Sequence, residues 1–371
     1  MTQASGIEKA SLEVHILGGG QGESIVIRMP DGRWGVVDCF TTSPDSGDYN
    51  STALFLRAHE VPQLHFVCLT HPHQDHFMGM AELLEEFRPR EFWRFGSLSH
   101  EHINNLIHYY EAKAIVKGQS EFSRTADELL ALFGKSLEGV QSNTMNVEYA
   151  TGRASLYPPA IEGPKQYHIE SLSPTGNQAE LYQAAIIGCV TPEGKLGKKL
   201  TRTHHNNISV VLKLTYGKTV VFLGGDLEKK GWEELLGRYA DHMLKATAVK
   251  VSHHGSPNGY CDQLWERFCW KDKPVAVVTP SNHHQLPKES AVTHIKQHAS
   301  AVYSTCTPWN VSDAPAPEPE SSQQSLKSLG ALLGKMSAVL APSRPTAGCC
   351  SLIFDDEGGC TVYLTRPAQK L

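Results

Sequence analysis

Two hydrophobic rhythms run through this chain. One is short and ends abruptly at glycine or proline; the other is longer and helical. Leu12 to Leu17 alternates as a strand and is broken by Gly18-Gly19-Gly20-Gln21-Gly22. Ser24 to Arg28 is a second strand. Pro30-Asp31-Gly32 then makes a turn, proline fixing φ and glycine supplying the open conformation, and Gly35 to Asp38 is a third strand. Phe66 to Leu69 is wholly apolar and reads as a buried strand. Further strands are predicted at Glu148–Tyr157, Tyr167–Leu172, Val210–Leu214, Val220–Leu223, Ala248–Val251 and Pro274–Val278. Cys350–Phe354 and Cys360–Leu364 form a hairpin around Asp355-Asp356-Glu357-Gly358-Gly359.

The helical rhythm appears at Asn50–His59, with Ser or Thr available as N-cap, and at Ala81–Phe87. From Phe92 to about Asn146 the pattern is helical and mixed, with helices expected at Leu98–Val116 and Ser123–Leu137. Two more follow, at Trp232–Tyr239 and Lys288–His298. Strands interleaved with helices imply an α/β protein. Asp313 to Glu320 has proline at alternate positions and can form neither element, so 311–346 reads as a loop or linker with room for one helix at Ser325–Leu340.

Chemistry enters between the strand Phe66–Leu69 and the helix that follows it. There the chain reads Thr70-His71-Pro72-His73-Gln74-Asp75-His76. In α/β proteins the carboxyl end of a strand is where sites are built. Imidazole nitrogen and carboxylate oxygen are ligands that Zn²⁺ and its borderline neighbours accept. His71 and His73 are two apart and can address one ion, while Asp75 and His76 begin the next turn and can address another. A His-rich surface loop is the bland alternative. Later segments supply donors of the same kind: Thr203-His204-His205-Asn206-Asn207-Ile208-Ser209, the strand end Gly224-Gly225-Asp226, Ser252-His253-His254-Gly255-Ser256, and Asn282-His283-His284.

His-x-His-x-Asp-His resembles the signature of the metallo-β-lactamase superfamily. Gly20-Gln21-Gly22-Glu23-Ser24, Ser173-Pro174, the Leu227-Glu228 after Asp226, and Lys250-Val251-x-His253-His254-Gly255-Ser256 are similar to the ComEC-like branch, the hydrolase domain of bacterial DNA-uptake channel proteins and its soluble relatives. Those relatives usually have Asp where Glu23 stands, and often lack a histidine at the position of His205. The resemblance implies an αββα sandwich of two mixed sheets with outer helices. It implies one ion on His71, His73 and His205, with His204 as the alternative ligand. A second ion would lie on Asp75, His76 and His253, with His254 as the alternative. Asp226 would bridge the ions, and Asp38 would lie beneath them and anchor a ligand by hydrogen bonds; otherwise Asp38 is a plain turn carboxylate. Whichever of His253 and His254 does not ligate is left to act on substrate, the loop holding His283 and His284 is a second source of a leaving-group acid, and the surplus histidines His204, His254, His283 and His284 fit an anionic substrate with a poor alkoxide leaving group.

Composition narrows the picture. The chain has 371 residues, 40% hydrophobic and 20% charged, with a formal net charge of −5. That is an ordinary globular balance with no global basicity to announce a nucleic-acid partner. A local rim would suffice for one, and Lys195, Lys198, Lys199 and Arg202 lead straight into His205. They read either as a solvated loop or as an anion-steering rim. The nine cysteines show no paired framework, no run is long enough to span a membrane, and Met1 to Ala10 lacks an apolar signal core, so a cytoplasmic protein is expected.

The sequence therefore predicts a hydrolase domain over 1–310 with a helical insertion at about 97–145 above the active site. The linker 311–346 and a hairpin over 347–371 joining the second sheet complete it. The activity expected is that of a dinuclear metal-dependent hydrolase, first a phosphodiesterase or nuclease with Asp75 orienting the nucleophile. Zn²⁺ is the first choice of metal, and Mn²⁺ is compatible with two carboxylates and no cysteine ligand. Lactone, thioester or cyclic-nucleotide hydrolysis, or a non-catalytic metal-binding scaffold, are the alternatives. Nothing in the sequence speaks to oligomeric state.

Overall fold

The computed structural model describes residues 11–41, 50–96, 98–118, 120–157, 167–269, 272–308 and 347–371. The linker 311–346, including the helix expected at Ser325–Leu340, lies outside the described residues. The strands form two eight-stranded sheets. The first contains β1 (Leu12–Gly18), β2 (Ser24–Arg28), β3 (Trp34–Val37), β4 (Phe66–Leu69), β5 (Glu91–Phe95), β6 (Asn146–Ala150), β14 (Gly348–Phe354) and β15 (Cys360–Thr365). β3 to β6 run parallel and the rest pair antiparallel. The second contains β7 (Ala154–Tyr157), β8 (Tyr167–Ser173), β9 (Val211–Tyr216), β10 (Thr219–Leu223), β11 (Ala248–Lys250), β12 (Val275–Val278), β13 (Ala301–Ser304) and β16 (Gln369–Lys370). In it β10 to β13 run parallel.

One apolar cluster joins the facing sides of the two sheets, with Val14, Ile16 and Val36 meeting Ile169, Leu212 and Leu214, and extends under the helices on the first sheet. A second cluster covers the outer face of the second sheet with α8 (Lys229–Arg238), α9 (Asp262–Phe268) and α10 (Glu289–His298), through Trp232, Trp265, Phe268 and Ile295. Each large apolar side chain so buried contributes about 1.5–3 kcal/mol. The layers are thus helix, sheet, sheet, helix. No described helix is long and apolar enough to cross a membrane.

Four expectations need correction. The C-terminal hairpin joins the first sheet, because β14 pairs with β1 over seven residues from Leu12↔Phe354 to Gly18↔Gly348; only β16 reaches the second sheet. β1 is buried at every position, and its outer edge would otherwise present unpaired backbone groups. Phe92 belongs to strand β5 rather than to the start of a helical stretch, and Glu148–Tyr157 is two strands that cross from one sheet to the other. The first helix, α1 (Ser51–Ala58), is capped by Asn50, whose side chain accepts from the Ala53 amide, rather than by Ser or Thr.

The expected insertion is a pair of helices, α4 (His100–Lys117) and α5 (Ser120–Gln141), packed on each other. Two contacts tie the pair to the ligand loop. Tyr110 donates its hydroxyl to the Pro72 carbonyl at 3.3 Å. Glu128 Oε1 accepts from Gly79 and Ala81 amides at 3.1 and 3.0 Å, which satisfies the N-terminus of α3 (Met80–Phe87), where glycine offers no cap.

Candidate metal centre

β3 and β4 are parallel neighbours, so the residues that follow them, Asp38 and Thr70, meet side by side. Asp38 sits at φ 58°, a conformation that Asp tolerates better than most residues. Its Oδ1 accepts the Thr70 amide at 2.8 Å, and its Oδ2 accepts the Thr70 hydroxyl and His76 Nδ1, each at 2.7 Å. His76, on α2 (Gln74–Phe77), is thereby fixed with Nε2 pointing away from Asp38, 3.5 Å from Asp226 Oδ1. His71 is buried, with Nδ1 at 3.0 Å from the Thr70 hydroxyl and Nε2 at 3.0 Å from His73 Nδ1.

His205 approaches from α7 (Arg202–Asn206). Its ring centroid lies 4.8 Å from that of His73, and its Nδ1 pairs with the Tyr182 hydroxyl at 2.8 Å. Its neighbour His204 is exposed and serves the helix cap, with Nδ1 accepting the Thr201 amide at 3.0 Å while Thr201 Oγ1 accepts the His204 amide. Of the two, His205 is the one that faces the cluster.

Asp226 sits at the tip of β10. Gly225 has φ 50°, and a Cβ there would lie 3.3 Å from Ser209 Cβ and the Val210 carbonyl, so the glycine lets the Asp226 backbone settle against the segment that leads into β9. The Asp226 amide donates to Ser209 Oγ at 3.2 Å. The Asp226 carboxylate then stands between three histidines: Oδ1 near His76, and Oδ2 at 3.7 Å from His254 Nε2 and 3.9 Å from His71 Nε2.

At the next pair of histidines the expected assignment is reversed. His254, not His253, faces the carboxylates: its Nε2 is 3.2 Å from Asp75 Oδ2, and its Nδ1 meets the Thr279 carbonyl at 2.8 Å. The reason is a turn of three successive residues with positive φ, His253 at 50°, His254 at 54° and Gly255 at 76°. A continued strand would have aimed the first histidine inward; the left-handed turn, held by the His253 amide on the Gly225 carbonyl, delivers the second. Non-glycine residues there cost of the order of 1 kcal/mol or more each, strain that the surrounding packing must hold. His253 is turned toward Asn206 and Glu228 instead, with Nε2 3.4 Å from Asn206 Nδ2 and Nδ1 4.0 Å from Glu228 Oε1, while Asn206 itself donates to Glu228 at 2.8 Å.

Burial first, and the neighbouring histidines second, hold the pKa values of His71 and His73 well below the ordinary range. Burial, with help from Lys113, brings His205 down to about 3. These three are neutral imidazoles, the form a metal requires. Burial also opposes charge on His76 and His254, but Asp226 and its fellow carboxylates outweigh it and raise both. Burial would raise Asp75 and Asp226, but the facing histidines hold both below the usual range.

The donor set fits divalent cations. His76 Nε2, His254 Nε2 and Asp226 Oδ1 are buried with no hydrogen-bond partner among the described residues. His71, His76 and Asp226 bring one donor each within 4.8 Å of one another, as do Asp75, His76 and His254. Buried polar atoms left unpaired are costly, and a cation on these converging lone pairs would satisfy them together.

Around this cluster the other expected residues separate. Arg202 reaches His284, with Nη1 3.4 Å from Nδ1. Lys198, Lys199 and Arg202 are exposed, and the side chain of His283 lies outside the described residues. Glu23 was missed as a site residue: it is buried, bonded by Lys250 and by the Thr279 hydroxyl, and near His76 and His254. Its signal was its place in the Gly20–Ser24 segment. Tyr182 gave none, since it stands on α6 (Gly176–Ile187), a helix the pattern did not announce.

Residues 17–102 match the family model described as "Metallo-beta-lactamase superfamily". The chain is 24% identical over 306 residues to ComE operon protein 3 of Bacillus subtilis (strain 168), across 79% of this chain and 32% of that protein, so it spans about a third of that relative. Similar solved structures include Zn(2+)-bound PqqB from Methylobacterium extorquens (14% identity, 64% of this chain and 71% of that one, TM-score 0.29) and a diphosphatase of the PhnP family (13%, 75% and 92%, TM-score 0.32). Two mixed eight-stranded sheets, with the matched histidine–aspartate segment at their edge, make this a protein of the metallo-β-lactamase fold.

Proposed function

We propose that the chain is a hydrolase using two divalent cations, and that its substrate is a phosphodiester, with nucleic acid the favoured form. The observation that carries the reading is that the Asp226 carboxylate stands between two groups of histidines, with His71 beside His73 and His205 on one side and His76 and His254 beside Asp75 on the other. His71, His73 and His205 would hold one ion; Asp75, His76 and His254 the other, with Asp226 between them. A pair of ions so held would supply a water-derived nucleophile at neutral pH and would neutralise charge on the oxygens around the phosphorus under attack. A purely structural site is usually closed and mononuclear, which weighs against the scaffold reading.

The chain's own groups then have separate tasks. Asp75 is the ligand with the more open side chain, 24% exposed against 0% for His76 and 2% for His254, so it faces the entry and orients the attacking water. His253, paired with Asn206 and beside Glu228, stands where it can protonate a departing alkoxide; it takes the task expected of His254. His284 with Arg202, and the exposed Lys198 and Lys199, favour an anionic substrate.

The test is a substrate panel on protein loaded with Zn²⁺ or Mn²⁺: single- and double-stranded nucleic acid, a nitrophenyl phosphodiester, a cyclic nucleotide, a lactone and a thioester. The reading expects phosphodiester cleavage, abolished by His71→Ala/His73→Ala. Turnover of the lactone or thioester alone would replace it with the small-substrate alternative.

A further inference from the structure

Under the histidines of the second ion lies a charged pair with no partner in the chemistry above. Glu23 and Lys250 form an ion pair whose side chains are 1% and 0% exposed. Glu23 is fixed twice: its amide donates to the Asp75 carbonyl at 3.2 Å, and its Oε2 accepts the Thr279 hydroxyl at 2.6 Å. Thr279 is the residue whose carbonyl meets His254 Nδ1. The Glu23 carboxylate therefore faces the Nδ1 edges of two ligands at once, with Oε2 3.6 Å from His254 and Oε1 3.9 Å from His76. Oε1 has no hydrogen-bond partner among the described residues.

Building a full ion pair into a core is costly, and an apolar pair of similar volume often serves stability as well or better. The placement gives this one a use. With a cation bound, both imidazoles would lose electron density and their Nδ1–H edges would become more positive, so a carboxylate against those edges would favour the loaded state. Lys250, on the same carboxylate, offsets part of that attraction.

We infer that Glu23 and Lys250 are opposed positioning residues that set the affinity for the second ion, Glu23 tightening it and Lys250 loosening it, with little effect on the first. The inference rests on the two-ion reading. It deepens that reading by naming what tunes its weaker half.

The experiment is a Zn²⁺ titration of metal-stripped protein against a chromophoric chelator, repeated on Glu23→Gln, Lys250→Met and the double variant, with circular dichroism to check folding. Glu23→Gln should weaken the second step by roughly 10–100-fold and leave the first in place. Lys250→Met should shift the second step the opposite way. A pair that only supports the fold would move both steps, and in the same direction for either variant; that outcome overturns the inference. If Lys250→Met does not fold, the double variant decides. Binding the second ion more tightly than Glu23→Gln supports the opposed roles, and binding it equally or more weakly overturns them. A single binding step in the unaltered protein would remove the two-ion reading itself, a failure distinct from two steps that the variants shift together.

Discussion

Replacing Asp38 with Asn changes one oxygen to an amide nitrogen and leaves shape and backbone almost untouched. Asn accepts a φ of 58° about as readily as Asp, so no backbone cost is expected. In the variant the remaining oxygen takes the Thr70 amide at the position of Oδ1. The new NH₂ replaces Oδ2, which now accepts from both the Thr70 hydroxyl and His76 Nδ1. The threonine hydroxyl can rotate to accept. The imidazole cannot adapt without giving up the proton on Nδ1, and its neutral form then carries that proton on Nε2, the atom aimed at Asp226. Two magnitudes follow. Losing one buried charge-assisted bond should cost about 1.5–3 kcal/mol of stability in metal-free protein. Losing the ligating tautomer should weaken metal binding by roughly 10–100-fold. Urea unfolding of the stripped protein reads the first and chelator competition the second. Metal affinity unchanged within error would refute the reasoning, because His76 would then not depend on Asp38 for its tautomer.

Other outcomes follow from the same geometry. His254→Ala should lose an ion, whereas His253→Ala should keep both and lose rate on substrates with poor leaving groups; elemental analysis and rates on activated and unactivated esters separate the two. Asp75→Ala should fold normally and slow hydrolysis by about a hundredfold or more, and a variant within tenfold of the unaltered rate would move the reaction elsewhere. Lys198→Ala/Lys199→Ala should weaken polynucleotide binding and flatten its salt dependence by roughly one counterion per lost contact, and affect a nitrophenyl phosphodiester far less. Away from the centre, burial opposes ionisation of Glu13, but His15 and Arg28 outweigh it and bring its pKa from 4.5 to about 2. A depressed carboxylate contributes stability that is whole above its unfolded pKa and is lost as pH falls through the folded one. Glu13→Gln should therefore remove about 2–3 kcal/mol at neutral pH and flatten the stability curve between pH 4.5 and 2, as read by denaturant unfolding.

The contiguous half of the candidate centre is legible in one segment. His71, His73, Asp75 and His76 fall in one segment, so their chemistry is local, and β2 and β4 keep the bounds that the sequence pattern predicts. What depended on distant partners was harder to read. Nothing in Gly348–Phe354 says which strand it will pair with; the answer lies in the bare edge of β1. Adjacent histidines at 253 and 254 look equivalent until three positive φ angles rotate them apart. Lys250 looks like a solvent-facing residue on a strand, and only the fold reveals that its ammonium is buried against Glu23. Arg94 is similar: it is buried in β5 with its guanidinium 5.1 Å from the Tyr149 ring and 5.6 Å from that of Phe133, and such a charge disguises a strand as part of a helical stretch.

The most direct test of the account is a count of metal ions per chain in protein purified without chelator, set beside phosphodiester hydrolysis by the same sample. The account expects two ions per chain, and parallel loss of metal and activity in His71→Ala/His73→Ala. One ion or none, with hydrolysis at full rate, would contradict it.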